Sequence, residues 1–305
     1  MSIFSLLLSK TPNSKKDRLK WFLLNLKYSS IFKLRNFGKK VSNKDNIWSD
    51  YSKHFNYVSE YYPAKNILKA PIVQKTMFDK NAKLQKINSK SVQDTINDIS
   101  KEIEASFFIS KNISKAWLSI FGSIIEQSNI LEPDFENLVS SNYFIEFGPG
   151  LGFNAEIYSR LFNSRGILFD LPEIKNVRSI VIKEFKKYSD SDNKSKKPEE
   201  FSEIKSFLNR VKTLQKYSFF STWAFTESPL DIRKKFFNII NNSVITLIVS
   251  NPKFENIDNF EYLNNLGEKL NEHKHIYRDL GFLKNSPKYL RKHQLHLFIN
   301  KNFKK

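Results

Sequence analysis

Glu146, Gly148, Gly150 and Gly152 stand at every second position of the run Phe144-Ile145-Glu146-Phe147-Gly148-Pro149-Gly150-Leu151-Gly152-Phe153. The chain holds eight glycines in 305 residues, so three within one five-residue window mark a place where the backbone itself is used. Glycine serves where φ must be positive or where the main chain must come close to a ligand. The acid two residues before the first glycine adds an acceptor. A carboxylate buried at a strand end is costly unless it is paired or hydrogen-bonded, and a ligand with a cationic centre and N–H donors would satisfy it. Asp170 follows Gly150 by twenty residues, in Phe169-Asp170-Leu171-Pro172-Glu173. That is the offset of an acid ending the second strand of a nucleotide-binding unit, where it can accept from both ribose hydroxyls.

The spacing excludes two common ligand loops. A dinucleotide turn needs G-x-G-x-x-G, and the third residue after Gly150 is Phe153. No Gly-Lys-Ser/Thr follows the turn, which excludes a P-loop. What fits is acid-x-G-x-G-x-G, and S-adenosylmethionine has the matching chemistry: a sulfonium, and an ammonium that carries donors. A helix behind the turn would offer its free amides to the same ligand. The structural alternatives are a Glu146 satisfied by local backbone amides and an Asp170 that is a helix cap or turn acid before Leu171-Pro172.

Methyl transfer to a hydroxyl also needs a group to take the proton. Glu227, in Thr226-Glu227-Ser228-Pro229, is the first candidate, because it lies just past a strand at the carboxyl edge. Its alternative role is an acid in the first turn of the next helix, beside the helix dipole. His273 and His275 are the other candidates, since histidine titrates near neutral pH. Metal chemistry is not expected: the chain has no cysteine, five scattered histidines and no carboxylate cluster.

These residues need elements to hold them. Tyr143–Phe147 reads as a strand, 153–163 as a helix, Gly166–Asp170 as a strand and 174–187 as a helix. Residues 217–225 form the next strand, 230–240 the next helix, and Ser243–Ser250 the most apolar strand of all. His273–Arg278 and Gln294–Asn300 are two further strands. Strands alternating with helices imply a parallel sheet covered on both faces. Residues 189–200 are a polar low-complexity loop, so Arg210–Leu214 is the remaining candidate for a strand between 188 and 216. Upstream, Ile96, Ile99, Ile103 and Phe107, then Trp117, Phe121, Ile124 and Ile125, recur at helical steps over 92–131. Residues 132–142 read as a linker.

Together, E-F-G-P-G-L-G and F-D-L-P-E resemble the class I S-adenosylmethionine-dependent methyltransferases. More narrowly, they resemble the sugar O-methyltransferases of bacterial polysaccharide gene clusters. Ser221-Thr222-Trp223-Ala224-Phe225-Thr226-Glu227-Ser228-Pro229, with Arg233 after it, is similar to that group's W-x-hydrophobic-S/T-E-x-P-x-x-x-R segment. The resemblance spans about 143–300. It implies an α/β, Rossmann-like, mostly parallel seven-stranded sheet ending in an antiparallel hairpin. It also implies cofactor contacts at Glu146, Gly148, Gly150 and Asp170, with Phe147, Gly152 and Leu171 beside them. Residues 136–305 would be the S-adenosylmethionine-binding domain; residues 1–135 match no part of the resemblance, and their helical content suits a basic lid or substrate region. Related plant-type O-methyltransferases place a histidine base where Thr226 or Glu227 stands here, so that histidine does not carry over. The weak third strand, with Arg210–Leu214 as its candidate, leaves the adenine-side contact unassigned.

Charge bears on partners. The net charge is +19, from 50 Lys+Arg against 31 Asp+Glu. Much of it follows a Lys-, Asn- and Ile-rich composition typical of A/T-rich coding. Residues 1–40, however, carry ten Lys or Arg and a single acid, Asp17, interleaved with Leu6–Leu8 and Trp21–Leu24. That pattern suits reversible contact with an anionic membrane surface, where a lipid-linked sugar would be found. No run approaches 18 apolar residues, and the start lacks the basic residues and cleavage site of a secretory signal. The expected address is the cytoplasm, with a peripheral place at the inner membrane surface. The competing functions are a methyltransferase for another small hydroxylated molecule, a basic nucleic-acid-binding methyltransferase or adaptor, and a non-catalytic binding protein. Asn251-Pro252-Lys253-Phe254 lacks the second proline of the motif that holds a flipped base, which weighs against nucleic acid.

Overall fold

The computed structural model describes residues 47–140, 143–188 and 196–303. The basic stretch 1–40 and its proposed membrane contact lie outside the described residues. The chain opens with α1 (Ile47–Tyr61), a 3-10 turn and α2 (Pro71–Thr76). Two long helices follow, α3 (Lys90–Ser106) and α4 (Lys111–Leu131), the second started by Ser110, whose hydroxyl accepts from Asn112 N. Among the described residues, no helix is long and apolar enough to cross a membrane.

The stretch read as a linker contains α5 (Phe135–Val139), whose Phe135, Leu138 and Val139 are buried. Three apolar side chains in five residues give even a short helix a face to bury, which polar neighbours obscured. From there strand and helix alternate: β1 (Tyr143–Phe147), α6 (Phe153–Phe162), β2 (Arg165–Phe169), α7 (Pro172–Phe185), β3 (Glu199–Phe201) and α8 (Ile204–Val211). Then come β4 (Ser218–Thr222), α9 (Leu230–Lys235), α10 (Phe237–Asn241) and β5 (Ile245–Ser250). A small ribbon, β6 (Lys253–Phe254) and β7 (Ile257–Asp258), leads into α11 (Asn259–Lys269), and β8 (His273–Asp279) and β9 (Gln294–Asn300) close the fold.

The main sheet has seven strands in the order β3-β2-β1-β4-β5-β9-β8. The first five are mutually parallel; β9 is antiparallel to β5, and β8 to β9. This is the mostly parallel α/β sheet with a terminal hairpin anticipated above. Strand order reverses between β1 and β4, and ligands of such sheets bind at the carboxyl ends beside that reversal. Alternation along the strands fills two cores. Phe144, Leu168, Phe220 and Leu247 face the side that also takes the N-terminal helices. Ile145, Ile167, Phe219 and Ile248 face the other. Trp117 of α4 meets Phe153 of α6 edge-on at 5.9 Å. Arg160 of α6 grips Glu102 of α3 with two bonds of 2.8 and 2.7 Å. The N-terminal helices are thus fastened to the helix that starts at the glycine turn.

The third strand is not Arg210–Leu214. That segment ends α8 and turns away, while β3 begins at the end of the polar stretch read as a loop and runs one residue past it, to Phe201. Two adjacent glutamates gave no apolar signal, yet both are half-buried and paired. Arg210 holds Glu199 through two bonds of 2.7 and 2.9 Å, and Arg178 holds Glu200 at 3.1 Å. Charge pairing at a sheet edge thus does for β3 what burial does for β5.

Candidate active site

The turn after β1 is held open by backbone geometry. Gly148, Gly150 and Gly152 have φ of 68°, 56° and 86°, values that cost other residues roughly 1–2 kcal/mol each. Two of them are also crowded. A Cβ on Gly148 would lie 2.1 Å from Ala224 Cβ, and one on Gly152 3.0 Å from Arg178 Cδ. Gly150 is different: its Cβ would meet only Met77, at 3.5 Å, so conformation alone selects glycine there. Met77, just past α2, brings the N-terminal region over the turn.

Glu146 is 1% exposed, and neither carboxylate oxygen has a hydrogen-bond partner. Burial pushes its carboxyl up to about 8, against the pull of the Arg178 cation and of the nearby Asn154 side chain. The alternative of local amides satisfying Glu146 therefore does not describe this site. Phe147 points the other way: its ring packs on Phe169, Phe225 and Phe236. Leu171 is exposed beside the turn.

Asp170 is buried and already engaged. Its Oδ2 accepts from Gly150 N at 3.1 Å and from Arg178 Nη1 at 2.9 Å, and its Oδ1 accepts from Leu171 N at 2.9 Å. A carboxylate offers about four acceptor directions. Asp170 thus retains one of these, on Oδ1, rather than the pair expected for both hydroxyls of a ribose. It does not cap α7, but its bond to Leu171 N makes it an acid of the turn before that helix. Arg178, which the sequence reading missed, is fully buried and also donates to Gly150 O at 2.9 Å. The available signal was a cation on the apolar stripe Ile174, Val177, Val181 and Phe185 of α7, where only a paired charge can sit.

The second half of the site follows β4. Trp223 takes φ 68°, donates its amide to Val249 O, and turns the chain into a 3-10 turn, Ala224–Glu227. Its indole Nε1 donates to His293 Nδ1 at 2.7 Å. Burial pushes His293 down to about 4, so near neutrality the ring is uncharged and its other nitrogen carries the proton. Arg233 fastens the segment from behind, donating to Ser228 O and Thr226 O. Glu227 is half-buried, and burial pushes its carboxyl up to about 7. Its Oε1 lies 3.4 Å from Asn251 Nδ2 at the end of β5.

The structure therefore brings Glu146, Gly148, Gly150, Gly152, Asp170, Leu171 and Glu227 to one edge of the sheet. His273 and His275 lie toward the opposite edge. His273 pairs in register with Asn300, and His275 with Phe298, whereas the carboxyl end of β5 meets Gln294. His275 stacks on Phe298 at 4.3 Å and its Nε2 meets His296 Nδ1 at 3.1 Å. Burial lowers both, His275 to about 4. His293, which the sequence reading passed over, is the histidine at the carboxyl edge. Among the described residues, no group of acids and histidines could hold a metal ion.

The residues fit an S-adenosyl ligand. Glu146 supplies a buried carboxyl for a cation with N–H donors, and at the glycine turn beside it the Gly150 amide and the Asp170 carboxylate already meet. No protein-family model matches the chain, and no curated protein does. Several solved structures match part of the chain. The methyltransferase domain of bacterial CtHen1 matches at 12% identity and TM-score 0.39, over 57% of this chain and 98% of that one. An O-methyltransferase family protein from Burkholderia thailandensis matches at 9% and 0.34, over 60% of each chain. The fibrillarin pre-rRNA processing protein of Methanococcus jannaschii matches at 10% and 0.37, over 54% and 68%.

Proposed function

We propose that this chain is an S-adenosylmethionine-dependent O-methyltransferase whose acceptor is a sugar hydroxyl of a surface polysaccharide or its lipid-linked precursor. One observation carries the cofactor: a buried carboxyl, Glu146, with two unpartnered oxygens beside three positive-φ glycines at the point where strand order reverses. The sugar acceptor rests on the resemblance of the Trp223–Arg233 segment, whose Ala224 lies against Gly148 of the glycine turn.

S-adenosylmethionine would supply a methyl group on a sulfonium, which departs without acid help. The chain must then hold the acceptor oxygen in line and remove its proton. A sugar hydroxyl is a weak nucleophile, and a positioned base contributes about 10²–10⁴-fold. Glu227, poised at about 7, is that base. Met77 and the helices behind it act as the cover that excludes water. The cationic stretch 1–40 holds the enzyme at an anionic membrane, where each engaged Lys or Arg contributes up to about 1 kcal/mol. Salt-sensitive sedimentation with anionic but not neutral vesicles is the expected result. No preference for anionic lipid would remove the membrane contact alone.

Calorimetric titration with S-adenosylhomocysteine tests the cofactor. Absence of binding at millimolar ligand would overturn the proposal. Transfer of labelled methyl groups to a panel of bacterial glycans then tests the acceptor; transfer only to non-sugar hydroxyls would replace it.

A further inference from the structure

We propose that Arg233, Asn259 and Asn251 form a one-way hydrogen-bond relay that fixes the Glu227 carboxyl in position to accept a proton. The inference rests on Glu227 being the base of the proposed methyl transfer. Arg233 Nη1 donates to Asn259 Oδ1 at 2.8 Å, Asn259 Nδ2 to Asn251 Oδ1 at 2.7 Å, and Asn251 Nδ2 faces Glu227 Oε1 at 3.4 Å. Asn259 Nδ2 also reaches Asn251 O at 3.1 Å.

The direction of the chain is set at its start. An asparagine amide could sit either way round by shape alone, but a guanidinium only donates. Arg233 therefore forces Asn259 to present oxygen to it and N–H to Asn251. Asn251 in turn must use its oxygen on Asn259, which leaves its N–H for Glu227. Water cannot substitute, because Arg233 and Asn259 are both fully buried. Among the described residues no carboxylate pairs with Arg233; carbonyl oxygens, Asn259 and the face of Tyr262 at 4.9 Å hold it instead. A buried cation without a counter-ion is expensive. Polarising a fixed amide chain that ends on the base gives it a use. Besides Glu227 itself, Arg233 and Tyr262 are the titratable groups that face this network, and burial pushes the Tyr262 hydroxyl up. The three relay residues touch one another rather than the acceptor, so they are positioning residues.

The test reads the Glu227 carboxyl directly. In the free full-length protein carrying ¹³C-glutamate, the Glu227 signal is identified by its loss in Glu227→Gln, and its titration midpoint is followed by NMR. Asn251→Leu should raise that midpoint by about one pH unit, because the charged form loses a donor. Asn259→Leu, one step back, should raise it as well. The double variant should move no further than Asn251→Leu alone, the non-additivity of residues acting in series. An unmoved midpoint in Asn259→Leu, or additive shifts, would overturn the relay. Should the leucine variants fail to fold, the wild type still decides. The side-chain N–H signals of Asn251 should titrate with the Glu227 midpoint, and flat signals would overturn the relay. Methyl transfer is assayed in parallel. Shifts as expected without any transfer would support the relay and overturn the methyltransferase reading; transfer with an unmoved midpoint would do the reverse.

Discussion

Arg178 Nη1 lies 2.9 Å from Asp170 Oδ2 and 2.9 Å from Gly150 O, so one buried cation ties the acid after β2 to the turn after β1. Removing one member of a buried pair leaves the other uncompensated, at a cost of about 3–5 kcal/mol. Arg178→Met should therefore lower the free energy of urea unfolding by that order. Asp170→Asn should cost less, because Arg178 keeps Glu200 at 3.1 Å. Equal losses would mean that Glu200 does not share the cation.

Glu146 makes the stability of the free protein depend on pH, with a definite sign. Its folded value is about 8, while an unfolded glutamate titrates near about 4.3. Between those values the folded chain keeps a proton that the unfolded chain has released. Stability is therefore fully present below about pH 4.3 and is lost as pH rises through about 8. Glu146→Gln should flatten that part of the profile in urea titrations at successive pH. A ligand ammonium set against Glu146 reverses the preference, so binding S-adenosylhomocysteine through its α-ammonium at pH 7 should release a proton. Calorimetry in buffers of different ionisation enthalpy reads that release, and the Gln variant should lose it.

Gly148 faces Ala224, with 2.1 Å between a built Cβ and the Ala224 methyl. Gly148→Ala should cost about 1–3 kcal/mol for overpacking and a further ~1 kcal/mol for the positive φ. It should also displace Glu227, three residues beyond Ala224, and so lower turnover. Ala224→Gly in the same chain should restore the packing part and leave the φ part. A double-mutant cycle on unfolding free energies measures the two separately. No rescue would mean that conformation alone demands Gly148.

Much of this arrangement is legible in the sequence because single-residue chemistry announces it. Three glycines, an acid before them and an acid twenty residues on name a turn and two strand ends, and β5 is apolar throughout. What stays hidden depends on partners distant in the chain. β3 is three residues long and held by Arg210 and Arg178 rather than by burial. Arg178 reads as an ordinary helix cation until the fold brings Asp170 and Gly150 against it. His293 looked no different from His273 and His275; only the antiparallel register of β8 and β9 puts His293 at the carboxyl edge and the other two away from it. The same holds for Asn251 and Asn259, eight residues apart and joined only by the turn of the β6–β7 ribbon.

Glu227 should control the rate of transfer without controlling cofactor binding. Its carboxyl sits at about 7 because burial disfavours the charged form, so about half is ionised at neutral pH. A base must be deprotonated to act, so turnover should rise with pH through about 7 and level off above it. His293, held near 4 and already bonded to Trp223, cannot produce that limb. His275, also near 4, lies toward the other edge of the sheet. Glu227→Gln keeps the size and hydrogen-bonding reach of the side chain but cannot take a proton. It should reduce turnover by about 10²–10⁴-fold and abolish the limb near 7, while the affinity for S-adenosylhomocysteine stays at the wild-type level. Stopped-assay rates across pH, with calorimetric binding on the same preparation, separate the two effects. Wild-type turnover in the variant would remove Glu227 as the base, and a matching loss of cofactor affinity would place it in the binding site instead.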